Sequence, residues 1–329
     1  AGCAAALSLP QGARALLVER ARPGSERCCG GLLTTDAVAA LRALGLELPL
    51  SVCASPTPRL VHVSDLDSGR EQSYCRDYVN LDRGCFDRWL LDLAAKRAEI
   101  DRGSRFIGRG PGPGEIRLKR GSRTDVIRAG LLIGADGANS TVRRACFPEH
   151  PGPPLMCAFQ ASLACAESPS DHEVLFASTL TDFYAWAIPK GDTVLVGCAF
   201  GDRLAARHRF ETIIAWYREK LQLGESVLAR AGRPLSRPRA RQDLFAGDGD
   251  VLLVGEAAGL VSPASGEGIS FALLSGAAAG RAAAADAPDR SYSKPFDHLA
   301  RQVMTKTLKA RVIYSPRRRA LALRLPWCP

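Results

Sequence analysis

The chain has no window approaching the roughly 18 consecutive apolar residues that a membrane-spanning helix needs, although 46% of its 329 residues are hydrophobic. No spanning helix is therefore expected. It also has no C-x-x-C pair and no His/Cys cluster at zinc spacing, so no metal site is proposed. Its eleven cysteines are odd in number and include the vicinal pair Cys28-Cys29, a poor geometry for an ordinary structural disulfide. Reduced thiols in a cytoplasmic setting follow as the simplest reading. There is no internal repeat, and no initiator Met at the start, so an upstream targeting sequence would not be visible. From Leu299 to Pro329 there is no acid at all, against eight Lys/Arg: Arg301, Lys306, Lys309, Arg311, Arg317, Arg318, Arg319 and Arg324. Most of the net charge of +10 resides there.

Three segments combine an apolar strand with a turn or an edge acid. Val251-Leu252-Leu253-Val254 breaks into Gly255-Glu256-Ala257-Ala258-Gly259, then Pro263, then Gly266-Glu267-Gly268, and opens a helix of small residues. Gly266 and Gly268 leave backbone N–H groups bare at a helix start, where partial positive charge collects. An anionic or electron-poor group belongs there. Leu131-Leu132-Ile133-Gly134-Ala135-Asp136-Gly137 is a second strand and turn, followed by a helix for which Asn139 and Ser140 are available as caps. Near the front, Ala15–Glu19 is a strand with an acid at its C-terminal edge, where a carboxylate can accept the hydroxyls of an adenosine ribose. An ordinary strand–turn–helix crossover accounts for any one of these segments alone.

Together, in this order, they resemble the FAD-dependent oxidoreductases of the p-hydroxybenzoate hydroxylase fold. The family's second motif is intact as Gly134-Ala135-Asp136-Gly137-Ala138-Asn139-Ser140-Thr141-Val142-Arg143. Its first survives only as Ala1-Gly2, so the chain is expected to lack the family's N-terminal start, and its third carries Glu256 in place of Asp. The resemblance implies FAD as cofactor, with Gly2, Glu19, Arg20, Gly30, Gly31, Arg83, Asp136, Gly137, Gly255, Glu256, Pro263, Gly266 and Gly268 as cofactor-binding residues. Arg83 opens a segment similar to the family's R-x-x-F-D-x-x-L helix start; a surface pair with Asp87 is its plainer reading.

A narrower resemblance is to geranylgeranyl reductases. Tyr184-Ala185-Trp186-Ala187-Ile188-Pro189 is similar to their Y-x-W-x-F-P motif, and Arg27-Cys28-Cys29-Gly30-Gly31-Leu32 to their K-x-C-G-G-G segment. Tyr184, Trp186 and Pro189 are thereby implied in substrate binding, and Cys29 is the candidate catalytic residue, as a proton donor or packed against the flavin ring. A cross-strand aromatic pair and a turn that merely needs glycines are the plainer readings. The implied activity is reduction of carbon–carbon double bonds in an isoprenoid lipid. Its electron donor would be NAD(P)H or a ferredoxin-type protein. The alternatives are an NAD(P)H-dependent hydroxylase and a non-catalytic, membrane-peripheral remnant that no longer retains FAD.

The expected fold class is α/β: a Rossmann-like FAD-binding lobe with a parallel central sheet, a second lobe with an antiparallel sheet, and a C-terminal helical tail. Residues 1–50, 80–150 and 245–285 would form the first lobe, 51–79 and 151–244 the substrate lobe, and 286–329 the tail. Strands are expected at Leu155–Ala164, Glu173–Ala177, Phe183–Pro189 and Thr193–Phe200, with Arg59–Ser64 and Gln72–Tyr78 added to that sheet. Phe210, Ile213, Ile214 and Tyr217 recur at helical spacing within Leu204–Leu221. The Pro- and Arg-rich Arg233–Arg241 reads as a connection back, and Gly110–Gly114 as a loop. The basic tail, with Leu321, Leu323, Leu325 and Trp327, suits either an anionic bilayer or a solvated terminal helix. Nucleic acid is not expected, since no binding module accompanies the charge.

Overall fold

The computed structural model describes residues 1–21, 28–202 and 204–324. Arg27, Leu325 and Trp327 lie outside the described residues. The first half runs α1 (Gly2–Leu7), β1 (Leu16–Glu19), β2 (Leu32–Thr34), α2 (Thr35–Ala43), β3 (Leu60–Asp65), β4 (Arg70–Cys75), β5 (Tyr78–Asn80), α3 (Arg83–Ala94), β6 (Glu99–Arg102), β7 (Ser104–Arg109), β8 (Glu115–Arg120), β9 (Arg123–Arg128), β10 (Leu132–Gly134) and α4 (Thr141–Cys146). The second half runs β11 (Leu155–Ala164), β12 (His172–Phe176), β13 (Ala185–Lys190), β14 (Thr193–Phe200), α5 (Ala206–Leu221), β15 (Val227–Ser236), β16 (Gly247–Asp248), β17 (Val251–Leu253), α6 (Ile269–Ala282), α7 (Pro288–Ile313) and α8 (Pro316–Ala322).

The fold is mixed α/β, with parallel and antiparallel sheets and C-terminal helices. Parallel pairs join β1 to β6 and β10 to β17. Seven of the described strands form one sheet in the order β15-β11-β14-β13-β12-β3-β4. It is antiparallel except where β12 lies parallel to β3. One face is closed by α5, whose Phe210, Ile213, Ile214 and Tyr217 pack on Val194, Val196, Cys198 and Phe200. The helical recurrence of those four apolar residues is what points them at the sheet. The other face packs against Cys28, Leu235 and Tyr314.

Small residues set the remaining packing. A Cβ on Gly276 would run into the carbonyl of Ala1, and one on Gly280 into that of Ala5. Only glycine allows α6 to approach α1 this closely. Apolar stripes of α2 and α3 then close around α1, with Leu41, Phe86 and Leu90 in one core.

Two expectations need correction. Arg233–Arg241 is not simply a connection: its first residues belong to the edge strand β15, which pairs with β11 as far as Ser236. Charges and proline disguise such a strand in sequence, and an edge position tolerates both. Nor is the basic tail wholly solvated. α7 buries Tyr292, Phe296, Leu299, Val303 and Ile313, and Arg319 on α8 is only 4% exposed. Its guanidinium pairs with Asp65 at 2.9 Å and with Asp67, and donates to the carbonyl of Ile313. No helix among the described residues is long and apolar enough to cross a membrane.

Candidate functional site

The segment Cys28–Gly31 crosses the face of the seven-stranded sheet opposite α5, where Met156, Ala158, Phe183 and Ala199 are buried. The Cys28 thiol lies 3.8 Å from the Ala158 carbonyl on β11, and burial pushes its pKa up to about 12. A Cβ on Gly30 would sit 2.6 Å from Ile188 Cδ1 and 3.9 Å from Trp186 Nε1, both on β13. A Cβ on Gly31, at φ +67°, would meet the Leu81 carbonyl, Lys190 Nζ and Arg83 Cγ. Both glycines therefore serve close approach.

Around this crossing lies a polar frame. Leu81 N–H donates to the Gly31 carbonyl at 2.8 Å. Lys190 Nζ donates to the Leu81 carbonyl at 2.7 Å and to Asn80 Oδ1. Fully buried Asn80 donates in turn to the carbonyls of Pro189 (2.8 Å) and Pro56 (2.7 Å). Burial lowers the Lys190 pKa to about 8. Arg83 reaches Asp87 at 2.9 Å, as its plainer reading expected, and also the Cys29 thiol; these two partners outweigh burial and hold it charged. Cys29, Gly30, Gly31, Arg83, Trp186 and Pro189 thus converge, and Lys190 and Asn80 join them unforeseen.

The loop after β17 is tied to the same strand. Tyr184 O–H donates to the Ser265 carbonyl at 2.7 Å, and Tyr314, at the end of α7, donates to the Ala264 carbonyl at 2.5 Å. Burial raises both phenols well above their usual range. The Tyr184 and Trp186 rings lie 5.6 Å apart. Pro263 is buried, and Gly266, at φ +69°, faces Leu235 and Phe183. Gly268 precedes α6, where the first N–H groups have no intrahelical acceptor. Beside it Glu267 pairs with Arg76 at 3.4 Å.

The remaining predicted residues gather near α1. A Cβ on Gly2 would lie 3.5 Å from Ala135 Cβ, and one on Gly255 3.3 Å from Ala1 Cβ. Asp136 spends its carboxylate on α4, accepting from Ser140 Oγ (2.5 Å) and from the N–H groups of Thr141 (2.6 Å) and Val142 (3.1 Å). Glu256 accepts from Ser236 N–H at 2.7 Å, and burial raises its pKa. Glu19 accepts from Ala21 N–H at 2.7 Å, and Arg20 is exposed. Gly137, at φ +80°, has no atom within 4 Å of where a Cβ would stand, so its backbone borders open space. Two cavities of about 330 and 200 Å³ lie elsewhere, lined by residues such as Asp182 and Arg209, and Arg241 and Phe296.

FAD fits these residues. Open space beside the backbone of Gly137 and the first N–H groups of α6, which have no intrahelical acceptor, suit an extended, anionic dinucleotide, and two tyrosines tie down the loop before α6 at Ala264 and Ser265.

The fold is that of flavin-dependent oxidoreductases. A geranylgeranyl bacteriochlorophyll reductase-like protein of Thermoplasma acidophilum superposes with a TM-score of 0.79 at 20% identity, over 95% of this chain and 83% of that one. PqsL of Pseudomonas aeruginosa, a probable FAD-dependent monooxygenase, gives 0.73 at 19% identity over 98% and 96%. The flavin-dependent brominase Bmp2 gives 0.67 at 18% identity over 98% and 89%. By sequence the chain belongs to the Protein CbrA family: it is 32% identical over 311 residues to the proteins of that name from Shigella flexneri serotype 5b and Escherichia coli O9:H4, covering 92% of this chain and 83% of each. No family model matches it.

Proposed function

We propose that the chain is an FAD-dependent oxidoreductase that reduces carbon–carbon double bonds of an isoprenoid lipid, with NAD(P)H or a ferredoxin-type protein as electron donor. The observation that carries this reading is the lie of Cys29-Gly30-Gly31 against Trp186 and Ile188, on the strand whose Tyr184 also holds the Pro263–Gly268 loop. Gly2, Gly137, Gly255, Glu256, Gly266 and Gly268 would hold FAD, which when bound and reduced supplies hydride to an alkene carbon.

The chain's own residues then have distinct tasks. Gly30 and Gly31 keep the covering segment close to the sheet. Lys190, Asn80 and Arg83 fix that segment and orient the Cys29 thiol, the candidate holder of the proton for the second alkene carbon. The O–H groups of Tyr184 and Tyr314 are engaged as hydrogen-bond donors to the carbonyls of Ser265 and Ala264, so their task is to position the loop. The apolar flank of Tyr184, Trp186 and Phe183 excludes water from a hydrocarbon chain.

Anaerobic stopped-flow absorbance tests this. Photoreduced protein should be reoxidised rapidly by a polyprenyl alkene without oxygen. Turnover that needs oxygen would favour a hydroxylase, and a colourless protein that takes up no added FAD would reject both.

A further inference from the structure

Gln160, Gly197 and Trp186 stand in register across β11, β14 and β13. Directly opposed residues of an antiparallel sheet share a face, here the one covered by Cys28–Gly31. Because Gly197 has no side chain, the Trp186 indole lies flat over it; a Cβ there would run into Cε2, Cζ2 and Nε1. The indole nitrogen also borders the covering segment, 3.9 Å from where a Cβ on Gly30 would stand.

Neither polar group has a partner among the described residues. Trp186 Nε1 is a buried donor without an acceptor, and Gln160 Oε1 a buried acceptor without a donor, on a residue only 6% exposed. Buried polar atoms are normally paired, and leaving them unpaired is costly. A donor and an acceptor on opposite sides of one glycine are the two complements of a single hydroxyl. Its oxygen accepts from the indole and its hydrogen goes to the amide oxygen. An ether or a hydrocarbon lacks that hydrogen. A phosphate or carboxylate would bring its charge against the amide oxygen.

We propose that Trp186 Nε1 and Gln160 Oε1, on the sheet face they share beside Gly197 and Gly30, together receive a hydroxyl of the substrate, so that the lipid is bound as an alcohol. This rests on the reading that the covered sheet face holds the substrate. Calorimetric titration of the full-length, FAD-loaded protein with geranylgeraniol and with geranylgeranyl methyl ether tests it, with flavin content read separately by absorbance. The wild type should bind the alcohol roughly tenfold tighter than the ether, the gain of one well-made hydrogen-bond pair. Gln160→Met and Trp186→Phe should each bring that ratio close to one while retaining flavin. Equal binding of the two probes by the wild type, binding of neither, or variants that keep the preference would overturn the hydroxyl site. So would a crystal structure with the alcohol bound and a water still bridging Trp186 and Gln160. Protein that discriminates the probes but takes up no FAD would leave the hydroxyl site standing and reject the flavin reading.

Discussion

The guanidinium of Arg143 donates to the carbonyl of Ala257 at 3.2 Å, binding the last residue of one glycine-turn motif to the middle of another more than a hundred residues away. The same group donates to the carbonyls of His150 (2.8 Å) and Asp243 (3.1 Å), and it is 3% exposed. Burial lowers its pKa to about 10. Arg143→Met should therefore cost about 3 kcal/mol, since it strips several buried carbonyls of charged donors at once. Urea denaturation measures this, and a loss well under 1 kcal/mol would show the three bonds to be incidental.

Tyr184 and Tyr314 hold adjacent carbonyls of one loop, at Ser265 and Ala264. Each Tyr→Phe change should cost about 1 kcal/mol. The double variant should depart from the sum because the two act on one loop. If the loop borders the flavin, the double variant should also retain less FAD on gel filtration. Strict additivity with full flavin content would argue that each tyrosine only packs.

His172 gives a pH signature. It is buried, with its pKa lowered from 6.5 to about 3 by burial first and then by Arg76 and Lys190. The folded chain keeps it neutral while the unfolded chain takes up a proton below pH 6.5. Between these limits the unfolded state binds more protons, so stability falls as pH falls through the window. The full effect is about 5 kcal/mol. His172→Leu should flatten that slope against the wild type when unfolding is followed from about pH 7 to about pH 4. Parallel slopes would assign the acid sensitivity to other groups.

Arg319 closes the C-terminal helices onto the body through Asp65, which is 1% exposed. Arg319→Met should cost about 3–5 kcal/mol, because a buried carboxylate loses its cation. Hydrogen exchange should then rise across α8 before it rises in the seven-stranded sheet. Unchanged protection of α8 would place its anchorage elsewhere.

Much of the framework was legible because local rules dictate it. Alternating apolar residues at Leu155–Ala164 and Thr193–Phe200 became β11 and β14 with those bounds, and the recurrence of Phe210, Ile213, Ile214 and Tyr217 became the buried stripe of α5. Ser140 caps α4 as its place before Thr141 suggested. The strand β15 was hidden because Arg233 and Pro234 suit an edge as well as a loop. Gln160, Asn80, Lys190 and Tyr314 were missed for another reason: their roles depend on partners from 24 to 110 residues away, and nothing in their own neighbourhoods announces them.

What the sequence determined alone is therefore local: strands such as β11 and β14, the α5 stripe, the Ser140 cap and the glycine turns, since periodicity, capping and positive φ are properties of a few consecutive residues. Tertiary structure alone decided which of these meet. Register across β11, β14 and β13 set Trp186 over Gly197 and beside Gln160, and helix packing through Gly276 and Gly280 brought α1 against α6. Close approach and unpaired buried polar atoms arise only between distant segments, once the core has excluded water.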